Sequence, residues 1–144
     1  MNDPDINQNQ QKNRARPALL SVLCVLTFIG SGISSISFLM VYFSYQEVIP
    51  MIHELSEVFP GVELFAKAGK NFFLTGFILY FLSLFGGSMM WQLRKPGFHF
   101  YTAAQVMIVL LPVVYIKGFP FPYLEASVTA IFILLYSKFL KIMK

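Results

Sequence analysis

From Ala18 to about Tyr45 the chain contains no Asp, Glu, Lys or Arg, and that run limits the fold more than any other feature. Wound as an α-helix rising about 1.5 Å per residue, it exceeds a hydrocarbon core of roughly 30 Å, so it must tilt or project beyond a bilayer. Lys12, Arg14 and Arg16 precede it, and Gly30-Ser31-Gly32 loosely mimics a leader cleavage region. However, Ile33, Ile36, Phe38, Leu39, Met40 and Val41 carry the apolar run well past the usual length of a leader core, so the segment is expected to stay as a span. Composition agrees: 56% of the 144 residues are hydrophobic and 12% charged, against roughly 25% charged in a soluble domain.

Three further apolar stretches follow. The expected spans are 18–45, 72–93, 100–116 and 123–140, which form one all-α domain, 17–144, as an antiparallel four-helix membrane bundle. Residues 1–16 are polar, rich in Asn and Gln and basic at their end, and are expected to form a disordered tail. Between the first two spans, Met51, Ile52, Leu55, Val58 and Phe59 alternate with His53, Glu54, Ser56 and Glu57. That pattern predicts an amphipathic helix, either at the membrane surface or capping the bundle, ended by Pro60-Gly61. Pro112 removes one helical hydrogen bond in the third span, where it predicts a kink. Gly118-Phe119-Pro120-Phe121-Pro122 predicts a rigid reversal before the fourth span.

The connection between the second and third spans is basic and aromatic. Pro96-Gly97 predicts a type II turn, and Arg94 and Lys95 place it on the cytoplasmic side. Trp91, Phe98, Phe100 and Tyr101 are expected in an interfacial belt. With the N-terminus inside, Lys12, Arg14, Arg16, Arg94, Lys95, Lys138, Lys141 and Lys144 are cytoplasmic, and only Lys67, Lys70 and Lys117 lie opposite. Both termini are therefore expected inside. The formal net charge of +4 reflects this topology rather than affinity for nucleic acid.

Small residues mark two helices for close packing. Thr27, Gly30, Ser31, Ser34 and Ser37 recur at i, i+3, i+4, i+7 and i+10, and Gly76, Tyr80, Ser83 and Gly87 form a matching side on the second span. Gln105 is expected to bond across to Ser83, Ser34 or a carbonyl. Glu125, near the outer end of the fourth span, has two readings: a transport group, or a carboxylate placed by the helix dipole and the interface. Arg94, Lys95 and His99 serve as topology determinants and also suit anionic headgroups.

Little else points to chemistry. His53 and Glu57 share a helix face, but a zinc hydrolase needs a second His at Glu57 and a third ligand. Cys24, the single cysteine, permits neither an intrachain disulfide nor a CxxC pair. No dinucleotide or phosphate-binding loop is present. The expectation is a protein that is not an enzyme and takes no cofactor. Its partners are the bilayer and either itself or another membrane protein, and its role is that of an assembly or accessory component. The alternative is an oligomeric small-solute or ion carrier using Gln105 and Glu125.

The pattern Met90-Trp91-Gln92-Leu93-Arg94-Lys95, then Gly97-Phe98, Tyr101 and Gln105, resembles that of small uncharacterised four-span bacterial inner-membrane proteins. The resemblance implies a bacterial cytoplasmic membrane location and carries no activity with it.

Overall fold

The computed structural model describes residues 17–144; the expected tail, with Lys12, Arg14 and Arg16, lies outside the described residues. The chain forms α1 (Ala18–Phe43), α2 (Tyr45–Ser56), α3 (Glu63–Lys67), α4 (Lys70–Trp91), α5 (Lys95–Tyr115) and α6 (Tyr123–Ser137). The described residues contain no strand. Helices α1, α4 and α5 are long and apolar enough to cross a membrane. At 15 residues, α6 falls short of the roughly 20 a span needs, and the chain continues from it through turns to Met143.

Helix α4 is the centre of the molecule, packing against α1 on one side and α5 on the other. Thr27 and Phe28 of α1 lie beside Gly87, Ser31 beside Ser83 and Phe38 over Gly76, so α1 and α4 run in opposite directions. The α4–α5 contact is closer still. A Cβ on Gly86 would lie 2.6 Å from the Tyr101 backbone nitrogen, and one on Gly97 would lie 2.7 Å from the Gly86 carbonyl oxygen. Only glycine on both helices lets these backbones meet.

The reversal between α4 and α5 lies four residues earlier than the sequence predicts. Leu93, at φ 59°, is the residue in the left-handed region, and Pro96 and Gly97 already belong to α5. The Arg94 N–H donates to the Met89 carbonyl and the Leu93 N–H to the Met90 carbonyl, the paired bonds of a Schellman cap. Proline suits the first turn of a helix, where its missing N–H costs nothing. Gly97 is required for contact with α4, so it is not free to serve as the turn residue. A left-handed leucine costs about 1–2 kcal/mol; the cap bonds and the packing of its side chain against the neighbouring apolar cluster offset that cost.

Two apolar clusters close the ends. Leu20, Leu23, Cys24, Met90, Tyr101, Tyr136 and Met143 form one near the α4–α5 turn. Ala68, Phe72, Phe73, Leu79, Ile108, Leu111 and Ile116 form the other. The C-terminal residues are tied to the first: Lys144 N–H donates to the Leu93 carbonyl at 2.7 Å, and Lys95 N–H donates to the Lys144 carbonyl at 2.8 Å.

Helix α2 follows a break at Ser44 and has no buried residue. Met51, Leu55, Val58 and Phe59 are exposed, so the helix does not cap the bundle. Outward faces elsewhere are equally apolar: Val22, Leu26, Ile29, Ile33, Ile36 and Met40 on α1, and Leu124, Val128, Ile131 and Leu134 on α6, are exposed. In water so large a contiguous apolar surface is a liability. Facing acyl chains it is solvated, and the molecule is a helical membrane protein.

Candidate functional site

Between the two apolar ends lies a polar band. Thr27, Ser31 and Ser34 follow one another at i, i+4 and i+7 on the inner side of α1 and reach different partners. The Thr27 hydroxyl bonds the Tyr136 hydroxyl of α6 at 2.8 Å, and Ser31 bonds Ser83 of α4 at 3.0 Å. Gln105 of α5 donates its side-chain N–H to the Ser83 hydroxyl at 3.0 Å. Ser34 is within reach of the Tyr80 hydroxyl, and Tyr101 within reach of Thr27. Four helices thus contribute hydroxyls and an amide to bonds between one another. Hydrogen bonds of this kind hold membrane helices in register, each worth about 0.6 kcal/mol and up to about 2.

The band borders a cavity of about 230 Å³, lined in part by Thr27, Gly30, Ser31, Tyr101, Gln105 and Thr129. It opens sideways because α6 is held lightly; Tyr136 is its one buried residue. A second cavity of about 320 Å³ shares Tyr80, Gln105 and Thr129 with the first and extends to Glu125. A third, of about 90 Å³, brings Tyr80 and Glu125 beside Phe38, Phe65 and Phe119 at the far end. Tyr80 lines all three.

Several expected site residues meet here. Gly76, Ser83 and Gly87 lie in the α1–α4 contact, and Gln105 takes Ser83 as its partner. Ser34 is half-buried beside Tyr80. Gly30 and Ser37 are exposed, and a Cβ on Gly30 would meet nothing within 4 Å. The buried side of α1 instead continues through Ser35, because the inward stripe turns away from Ser37 at 3.6 residues per turn. Glu125 is in the first turn of α6, exposed, at the edge of two cavities.

At the opposite end, Arg94, Lys95 and His99 are exposed. Trp91 is half-buried, its ring 6.0 Å from that of Phe28. Tyr101 leaves the expected interfacial belt altogether: it is 3% exposed, its ring 5.0 Å from that of Tyr136. His53 lies in α2 with Glu57 at its C-cap, both exposed. No three His, Cys, Asp or Glu side chains converge on a metal-binding arrangement among the described residues.

Sequence reasoning did not single out Gly86, Gly97 as a packing residue, Tyr101 as a core residue, or Tyr136. The adjacent pair Gly86-Gly87 signalled that α4 has two close-packed sides rather than one. Tyr136 gave no comparable signal, since a tyrosine in an apolar run suits an interface as well as a core.

Comparison of the chain with protein-family models, curated proteins and solved structures returned no match.

Proposed function

We propose that this protein is a four-span component of a bacterial cytoplasmic membrane that acts by lateral association, receiving a transmembrane helix of a second copy or of another membrane protein between α1 and α6. The observation that carries this reading is the open side of the polar cavity, where Gly30 leaves space on α1 and Val128 and Thr129 stand on α6. A groove that joins small residues to hydroxyls suits helix docking, since backbones approach closely and polar groups find partners.

The four-span layout has its own support. Tyr123 begins α6 just beyond the Gly118–Pro122 reversal, and Lys144 bonds to the start of α5, so α6 with its C-terminal turns covers the height of α5. Arg94, Lys95, Lys138, Lys141 and Lys144 belong to one end and Lys67, Lys70 and Lys117 to the other, an excess that favours a cytoplasmic C-terminus and α4–α5 turn. Helix α2 then lies on the outer leaflet through Met51, Leu55, Val58 and Phe59.

The test is a mild-detergent pull-down of tagged protein with stoichiometry by mass. A complex of fixed ratio, lost in Gly30→Leu and kept in Glu125→Gln, is expected. A monomer, or a complex indifferent to Gly30→Leu, would refute lateral association through this groove.

One observation favours carriage of a small solute as the second reading: Glu125 and Gln105 line the same cavity. Under that reading, Glu125→Gln abolishes flux in liposomes while the helical spectrum and the monodispersity of the protein are unchanged.

A further inference from the structure

The lipid-facing side of α5 carries a concave shelf of about 570 Å³, formed by Lys95, Pro96, His99, Phe100 and Ala103. These positions follow the i, i+1, i+4, i+5, i+8 stripe of one helix face, and all five are exposed. The shelf is graded along the helix axis. Lys95 stands at the end where the chain reverses, His99 and Phe100 lie a little over one turn deeper, and Ala103 about two turns deeper. Phe100 is braced by Phe85 of α4, their ring centres 6.1 Å apart.

Charge settles which amphiphile suits it. The backbone bonds of Lys144 to Leu93 and Lys95 bring the C-terminal residues, with Lys141 and Lys144, to the same end as Arg94 and Lys95. All of these side chains are exposed. The one ion pair among the described residues, Lys67 with Glu63, lies in α3, away from this end. No Asp or Glu side chain of the described residues pairs with the cations at this end. A cationic rim above an aromatic and aliphatic floor matches a phosphate headgroup above an acyl chain.

We infer that this shelf is a binding site for an anionic phospholipid, with Lys95 and His99 holding the headgroup phosphate and Phe100 and Ala103 receiving the first part of an acyl chain. The inference needs only that α5 crosses the membrane. It is independent of helix docking between α1 and α6, which lies on the other side of the bundle's polar cavity.

Native mass spectrometry of the full chain, released from detergent containing equimolar phosphatidylglycerol and phosphatidylcholine with identical acyl chains, tests it. The native protein retains phosphatidylglycerol in preference. Lys95→Gln lowers that preference by about fivefold, and adding His99→Gln, which removes a ring N–H donor, lowers it further, whereas Lys117→Gln, which lies at the opposite end, leaves it intact. Phe100→Ala lowers retention of both lipids together. Equal retention of the two lipids by the native protein would overturn the inference. So would an undiminished preference in the Lys95→Gln, His99→Gln variant, shown to be monodisperse and helical. Displacement of the lipid by inorganic phosphate alone would also overturn it, by marking a site for a soluble anion.

Discussion

Individual glycines in this chain do different jobs, and the difference is measurable. Gly86 and Gly97 face backbone across the α4–α5 contact, where a methyl has nowhere to go. Gly30 faces open space on α1. Overpacking a close contact costs about 1–3 kcal/mol, while an unobstructed surface position changes stability by no more than about 0.5 kcal/mol. Gly86→Ala and Gly97→Ala are therefore expected to unfold at distinctly lower denaturing-detergent fraction than the parent, and Gly30→Ala at nearly the same fraction. Equal behaviour of the three would mean that α4 and α5 are not in backbone contact. Leu93 shows the converse: a non-glycine residue holds a left-handed position because its side chain packs. That arrangement was not legible in the sequence, where Pro96-Gly97 carried the stronger local turn signal. A local turn preference is weak beside a helix–helix contact that only one residue type permits.

At the scale of elements, the helices are held to very different degrees. Helix α4 is packed along its length by α1 and α5, with Phe72, Phe73, Gly76, Leu79, Ser83, Gly86, Gly87 and Met90 buried. Helix α6 buries Tyr136 alone, and its Thr27 bond lies near the helix C-terminus. Local opening follows the density of buried contacts. Amide hydrogen exchange in nanodiscs is thus expected to be faster from Tyr123 to Ala130 than anywhere in α4. Tyr136→Phe should extend that fast exchange through the remainder of α6 with little change in α1, α4 or α5. Uniform protection of all four helices would contradict the light attachment of α6. The amphipathic pattern of α2 was visible in its sequence. Its failure to cap the bundle was not, because an apolar stripe shows that a surface is wanted and leaves open whether protein or lipid supplies it.

For the whole molecule, the charges make a topological prediction. Cysteines placed singly at His53 and Lys138 in a Cys24→Ser background should react with a membrane-impermeant thiol reagent from opposite sides of the native membrane, His53→Cys from outside. Labelling of both from one side would refute the four-span threading. The sequence alone determined the solvent: apolar runs with few charges must place their backbone bonds inside helices and their side chains against lipid, whatever the packing. It also determined the small residues that let α1 and α4 approach, since period and side-chain size are local properties. Tertiary structure decided which of those residues are used. Helix rotation buried Ser35 and exposed Gly30 and Ser37. Packing drew Tyr101 from its expected interfacial position into the core, where it packs against Tyr136, whose hydroxyl bonds Thr27. It also brought Gln105, Tyr80 and Glu125 around one cavity. These outcomes depend on the relative rotation and tilt of four helices, which is set by the sum of many small contacts between distant residues and carries no signature at any one position.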